Sequence, residues 1–384
     1  MIFNDNAIAR FARYSDTKLM NKVLTTHFRQ IFKRSAVLLA GLVMIFAIAM
    51  PAYAGLPPGN PIRDPEALLR LGLPIPNEDI RDIQLSLEDL VIQARSRRWS
   101  AIKSTVGKAQ SKFKKHQDEI IKDVVEGKRE EAEQLLESII SDLEELKGVA
   151  ADKDIDQLRT LKTSVMGAIG QIEAAMVSGF PFEIPEEYKD YPQLLGHATI
   201  DMQTSQGELT IVVDGFNAPL TAGNFVDLVQ RKFYDGLPFI RSEESYVVQA
   251  GDPPGDEVGF INPKTKKYRA IPLEIRTEED NDPLYGVTFE EAGLYQEQPR
   301  LPFSSYGAIA LAHGDDPNDG SSQFFFHLYD SELTPAGSNF LDGSYALFGY
   351  VTKGQEVLGE ISEDDTIVSA KVTQGLDNFV KGKV

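Results

Sequence analysis

The spacing of apolar positions divides the chain into two periodic regions. Between residues 77 and 179 apolar side chains recur every three or four residues, the signature of helices with one buried face. Ala132, Leu135, Leu136, Ile139, Ile140, Leu143 and Leu146 form one stripe, which Gly148 is expected to end. Ile155, Leu158, Leu161, Val165, Ile169, Ile172 and Met176 form another, stopped by Gly179 and Pro181. A longer stripe precedes both. It starts with Ile80, Ile83, Leu87, Leu90, Val91 and Ala94, passes Trp99, and continues through Val106, Phe113, Ile120 and Val124. Asn77 stands at its cap position, with Glu78 and Asp79 in the first turn where carboxylates suit the helix dipole. Helices joined by short loops predict an antiparallel bundle. Leu136, Ile139, Leu143 and Leu146 also fit a coiled-coil seam. That match lasts only about two heptads, so packing within the chain is the expectation.

At Ala198 the period drops to two. Ala198, Ile200 and Met202 alternate with Thr199, Asp201 and Gln203, and residues 209–213 follow the Gln206-Gly207 turn as a second strand. Pro219 and Thr221 open a helix over 222–232. Short strands are predicted at 239–252, 270–275, 306–312, 323–329, 346–351 and 366–372, with a short helix over 355–361. Many strands with two helices predict a closed barrel over residues 197–384. Residues 180–196 connect the two regions, and Phe182, Tyr188 and Tyr191 make this connector too apolar for a free linker.

The first 54 residues lack either period. Seven basic residues there face only Asp5 and Asp16, residues 35–50 carry no charge, and Ala52-Tyr53-Ala54 supplies a small-x-small cleavage site. This reads as an export signal. The apolar run is shorter than the ~20 residues that span a bilayer. Residues 55–76 are proline-rich, with one short helix expected over 64–71 behind Pro65. The chain carries 39 basic and 58 acidic residues and no cysteine. That balance opposes nucleic acid as a partner, and disulfide and thiol chemistry are excluded. A basic cluster over 95–115 is expected to be a solvated face or a patch that docks on the acidic C-terminal half and covers its site.

The candidate chemistry lies in 239–252, FIRSEESYVVQAGD. Strand residues two apart share a face, so Phe239 and Arg241 are expected to point together. Gln249 reaches Arg241 only if the run folds back beside it. FYDGLPFIR, VVQAGD, DGSSQFFF and FLDGSYALFGYV then occur in order. With these four motifs the C-terminal region resembles the cyclophilins, eight-stranded barrels capped by two helices that catalyse peptidyl-prolyl isomerisation. The resemblance implies a catalytic role for Arg241 and a steadying, substrate-contacting role for Gln249. It implies pocket walls at Phe239, Tyr246, Leu311, Phe325 and Leu341. His313 and Gly314 fall on the strand that pairs with substrate backbone, and Gln323 falls beside the pocket. Phe340 and Tyr345 take the positions of a tryptophan and a histidine that complete the site. No cofactor and no metal are implied.

The chemistry suits such residues. Rotation about an X–Pro bond crosses a barrier of ~20 kcal/mol set by amide resonance. A fixed guanidinium that donates to the pyramidal prolyl nitrogen binds the twisted amide better than the planar one, and only such differential binding speeds the step. Departures from the family stand at Ile240 (usually histidine), Tyr246 (phenylalanine), Leu311 (methionine) and His313 (asparagine). Glu243 and Glu244 replace an apolar turn, close enough to Arg241 to pair with it and compete with substrate. Residues 255–302 form a longer insertion with the acidic run Glu278, Glu279, Asp280 and Asp282. Its spacing fits a solvated loop better than a calcium site.

A signal, a helical bundle and a divergent cyclophilin region together resemble the large thylakoid-lumen cyclophilins of plants and cyanobacteria, associated with assembly and maintenance of photosystem II. The resemblance implies an exported protein, in thylakoid lumen or periplasm, that binds proline-containing segments such as lumenal loops of photosystem II subunits. Its two expected functions are prolyl isomerisation and, alternatively, a scaffold with little or no turnover, regulated by its helical domain.

Overall fold

A computed structural model describes residues 62–278, 282–295, 297–328 and 339–384. The expected export signal, much of the proline-rich segment, and Glu279 and Asp280 lie outside the described residues.

Helix α1 (Pro65–Gly72) begins where Asp64 accepts a hydrogen bond from the Glu66 amide at 3.0 Å and Pro65 takes the first turn, where no amide hydrogen is needed. Asn77 caps α2 (Glu78–Glu88) through the Ile80 amide at 2.9 Å. The long stripe then breaks twice. α3 (Leu90–Arg95) is separated from α4 (Trp99–Asp123) by Arg97, whose φ of 56° is incompatible with a continuing helix. α5 (Arg129–Asp152) and α6 (Ile155–Met176) complete the bundle.

Gly148 does not end its helix. Val149 and Ala150, 4% and 2% exposed, give the next turn a buried face, so α5 continues to a left-handed Lys153. Asp154 then caps α6 by accepting from the Asp156 and Gln157 amides, each at 3.0 Å. The apolar stripes of α2 to α6 meet in one core around Leu87, Phe113, Leu143 and Ile169, all within the chain.

The second domain is an eight-stranded antiparallel sheet in the order β11-β2-β3-β10-β8-β9-β5-β4. Its strands are β2 (His197–Thr204), β3 (Glu208–Asp214), β4 (Phe239–Glu243), β5 (Val247–Ala250), β8 (Ala308–Leu311), β9 (Phe324–His327), β10 (Leu347–Lys353) and β11 (Ile367–Gln374). The outer strands meet at one point, where Pro238 bridges Thr366 and the Phe239 amide donates to Asp365 O at 3.0 Å. Helix α7 (Pro219–Gln230) lays Phe225 against Phe324 and Phe348, and the short α8 (Gln355–Leu358) precedes β11.

Alternation along the strands sorts side chains onto two faces. Val248, Ala250, Ile309, Leu311, Phe324 and Phe326 point into the barrel core. Val247, Ala308, Ala310, Phe325, Leu347 and Tyr350 form an apolar outer face. Leu68 and Leu69 of α1 join this outer cluster, each 5% exposed. Asn217 Nδ2 donates to Gly72 O at 3.0 Å, and Ser304 Oγ donates to Ile62 O at 2.6 Å. The contact between the helical domain and the barrel therefore runs through α1. Within the basic cluster of residues 95–115, Lys112 pairs at the bundle surface with Asp82 of α2 at 3.0 Å.

The connector packs as its aromatics predict. β1 (Gln193–Leu194) pairs with β12 (Phe379–Val380), and Tyr188 lies 5.1 Å from Tyr285. Tyr285 belongs to the insertion, where β6 (Glu274–Ile275) pairs with β7 (Leu284–Tyr285). Glu274 is buried and accepts from the Leu220 and Thr221 amides at 3.0 Å each. It thus caps α7, whose own preceding residue, Ala218, has no side chain that could. Burial raises the Glu274 pKa to about 7.

Candidate functional site

The β4–β5 hairpin brings the first two candidates together. Arg241 stands opposite Gln249 in the ladder, so the run does fold back on itself. The register slips between Phe239 and Arg241. This irregularity breaks the simple two-residue alternation and sends the two side chains to opposite places. Phe239, 1% exposed, joins the barrel core and does not line the site, whereas Arg241 emerges at the surface.

The guanidinium is held by a residue other than Gln249. Arg241 Nε and Nη2 both donate to Glu243 Oε1 at 2.7 Å, and its Cζ lies 5.6 Å from the centre of the Tyr246 ring. The Glu243 bond, more than any other influence, raises the Arg241 pKa, so the group stays charged. Gln249 Nε2 instead donates to Gln323 Oε1 at 2.8 Å. Gln323 Nε2 in turn donates to Asp252 Oδ1 at 2.8 Å and Val258 O at 3.0 Å. Gln323 contacts Gln249 and does not line the cavity.

A cavity of about 90 Å³ opens beside Arg241, lined by Tyr246, Val247, Gln249, Ala312, His313, Phe325, Leu341 and Tyr345. Phe325 rises from the outer face of β9, and Tyr345 meets it edge-on at 5.3 Å. Leu311 is not a wall. It is paired with Phe324 and points into the barrel core, and the next residue, Ala312, lines the cavity. His313 and Gly314 lie past the end of β8 rather than on it. The His313 ring stacks on Tyr345 at 4.4 Å, with Nδ1 against Gly314 O at 2.8 Å and Nε2 against Ser344 O at 3.0 Å. Gly314 donates its amide to Asp319 Oδ1 at 2.7 Å and stays outside the cavity.

The far wall is one turn. Asp342 accepts from the Phe303 amide at 2.8 Å and the Asn339 amide at 3.2 Å, and Leu341 N donates to Asn339 Oδ1 at 3.0 Å. Burial raises the Asp342 pKa to about 6. This turn sets Leu341 into the cavity and Phe340 at its rim, where Phe340 stays 66% exposed and stacks on Tyr246 at 6.1 Å. Burial also raises the Tyr345 pKa, which keeps the phenol neutral.

Val247 and Ala312 were absent from the sequence-based candidates. Strict alternation finds both, because Val247 shares a face with Gln249, and Ala312 continues the series Ala308 and Ala310. The assembled site is a recess of mixed aromatic, aliphatic and polar lining with the Arg241 cation at its mouth. Glu243 engages the Nε and Nη2 of that cation, and Nη1 takes no part in this pair. Such a site can take an uncharged aliphatic ring and donate a hydrogen bond beside it.

Two family models match the chain. The cyclophilin-type peptidyl-prolyl cis-trans isomerase model covers residues 199–378, and a CYP38-like, PsbQ-like domain model covers residues 64–177. A putative thylakoid lumen peptidyl-prolyl cis-trans isomerase of Synechocystis sp. is 55% identical over 325 residues, 84% of this chain and 86% of its own. The chloroplastic isomerase CYP38 of Arabidopsis thaliana is 41% identical over 342 residues, 86% of this chain and 78% of its own. A crystal structure of a Cryptosporidium parvum cyclophilin with the dipeptide Ala-Pro covers 46% of this chain and 99% of its own, at 21% identity and a TM-score of 0.33. With a helical PsbQ-like domain before its eight-stranded barrel, the chain belongs to the CYP38-like group of cyclophilin-type peptidyl-prolyl cis-trans isomerases.

Proposed function

We propose that the recess binds proline-containing segments and that Arg241 catalyses their cis–trans isomerisation. The observation that carries this reading is a charged guanidinium at the mouth of a cavity of about 90 Å³ in which Phe325, Leu341 and Tyr246 supply apolar walls. The prolyl ring enters the recess, and Arg241 donates to the prolyl nitrogen as it becomes pyramidal. That bond is stronger in the twisted amide than in the planar one, so it lowers the barrier. The test is isomerisation of a proline tetrapeptide by the full chain and by its Arg241→Ala variant. A loss of about 100- to 1000-fold in kcat is expected, the range of a single electrostatic donor. Equal rates refute a catalytic Arg241.

A second reading is binding without turnover. It is favoured by His313, whose ring is stacked on Tyr345 and enclosed between the Gly314 and Ser344 carbonyls, so its side chain offers a peptide little grip. Under this reading the Arg241→Ala variant matches the parent in rate while both retain peptide affinity.

We place the chain in the thylakoid lumen or periplasm, acting on lumenal loops of photosystem II subunits during assembly or maintenance. Support comes from the compartment in the names of the relatives and from the PsbQ-like helical domain. The check is a pull-down from thylakoid membranes beside a deletion strain. Recovery of no photosystem subunit, with normal photosystem levels in the deletion strain, refutes the assignment.

A further inference from the structure

We propose that Glu243 is the positioning residue for Arg241, in the role expected of Gln249. The inference rests on the reading of Arg241 as the working cation of the groove.

Three observations carry it. Gln249 faces Arg241 across the hairpin, yet the guanidinium bonds to Glu243, and Gln249 Nε2 donates to Gln323, whose own amide is tied to Asp252 and Val258. The amide chain thus runs away from the guanidinium. Glu243, two residues along the same strand and on the same exposed face, accepts from both Nε and Nη2 of Arg241 at 2.7 Å. Finally, a tight turn fixes the backbone from which this carboxylate projects. The Tyr246 amide donates to Glu243 O at 3.0 Å, and Ser245 takes the left-handed conformation, φ 58°, that closes the turn. The same turn delivers Tyr246 to the face of the guanidinium at 5.6 Å.

These contacts restrain the group in two directions. The carboxylate fixes the Nε–Nη2 edge in the guanidinium plane, and the ring limits movement out of it. Glu243 does not line the cavity. It therefore grips the outer edge of Arg241 and leaves the recess to a substrate, with Nη1 outside the pair. This differs from the competition that the sequence alone suggests, in which the carboxylate would take the place of the peptide. An arginine with its side chain 44% exposed would otherwise sample many rotamers, and ordering it in advance removes that cost from the transition state.

The test uses the full chain with Glu243→Ala and Glu243→Gln. Glu243 is exposed in a surface turn, so both variants are expected to fold. The first readout is exchange of the Arg241 Nε–H proton by NMR, with the resonance assigned by its absence in Arg241→Lys. We expect slow exchange in the parent, exchange about three- to fivefold faster in the alanine variant, and an intermediate rate in the glutamine variant, which keeps an acceptor but loses the charge. Unchanged exchange in Glu243→Ala overturns the proposal. The second readout is kcat against KM for the proline tetrapeptide. A fall in kcat of about the same factor at constant KM, partly rescued by glutamine, supports positioning. An equal or higher kcat in Glu243→Ala makes Glu243 a competitor and also overturns it. A parent without turnover refutes the isomerase reading alone, and the exchange measurement still decides the role of Glu243.

Discussion

Replacing Glu173 by glutamine should flatten the dependence of stability on pH. Glu173 projects from α6 into the junction with α1 and α2, where its side chain is 0% exposed. Arg81 Nη1 lies 3.2 Å from Oε1, and Oε2 has no hydrogen-bond partner among the described residues. Burial outweighs the attraction of Arg81 and raises the carboxyl pKa from 4.5 to about 8. Between those two values the folded chain keeps a proton that the unfolded chain has released. Stability from this group is therefore fully present below the unfolded pKa and is lost as pH rises through the folded one. At about 1.4 kcal/mol per pKa unit, the loss reaches about 4 to 5 kcal/mol by pH 9. Glu274 and Asp342 act in the same direction, and His327, lowered by burial to about 4, acts in the opposite one. The difference between Glu173→Gln and the parent removes all three. Urea unfolding followed by far-ultraviolet circular dichroism, from pH 5 to pH 9, gives that difference. The variant should gain several kcal/mol relative to the parent across the range. A difference that stays constant with pH refutes the argument, because the carboxyl would then ionise equally in both states.

Three further outcomes follow from packing. Leu69→Ala removes a 5%-exposed side chain between α1 and the barrel and should cost about 2–4 kcal/mol by chemical denaturation, with new binding of a hydrophobic dye as the outer face is uncovered. Asp342→Ala leaves the Phe303 and Asn339 amides without their acceptor, at about 1–3 kcal/mol, and should weaken proline-peptide binding in a titration because Leu341 and Tyr345 lose their support. Gly349→Ala places a Cβ 2.4 Å from Val212 O, a backbone atom of the neighbouring strand, and should lower the melting temperature by an amount equivalent to about 2 kcal/mol or more. An unchanged Tm would mean that β3 and β10 can separate without cost.

Much of this molecule was legible because its elements obey simple periods. The stripes at three and four residues became α2 to α6, and the alternation after Ala198 became β2 and β3. Failures came where a local rule met a tertiary demand. Gly148 is a poor helix former, but Val149 and Ala150 had a core to enter, so the helix went on. Phe239 and Arg241 share a face in a regular strand, but a register slip separates them, and no pattern of residue types announces it. Leu311 was expected as a wall because the family resemblance puts it at a pocket-wall position. Counting along β8 from Ala308 would have placed it inside and Ala312 at the cavity. The Gln249–Gln323 bond joins residues 74 apart and depends on the ladder of β5 with β9, which local sequence does not encode.

The outer face of the sheet connects the two domains physically. Strands β5, β8, β9 and β10 present one continuous apolar surface, larger than a single proline ring covers. Leu68 and Leu69 occupy part of it, in contact with the cluster of Ala308, Ala310, Leu347 and Tyr350, while Phe325 and Leu341 of that cluster remain to line the recess. Arg70, at the end of the same short helix, pairs with Glu88 of α2 at 3.1 Å, and Lys162 of α6 reaches Glu88 at 2.9 Å. α1 is thus bonded to the bundle by charge and to the barrel by apolar contact. Two walls of the recess, Phe325 and Leu341, and the α1 side chains Leu68 and Leu69 are thus parts of one hydrophobic cluster.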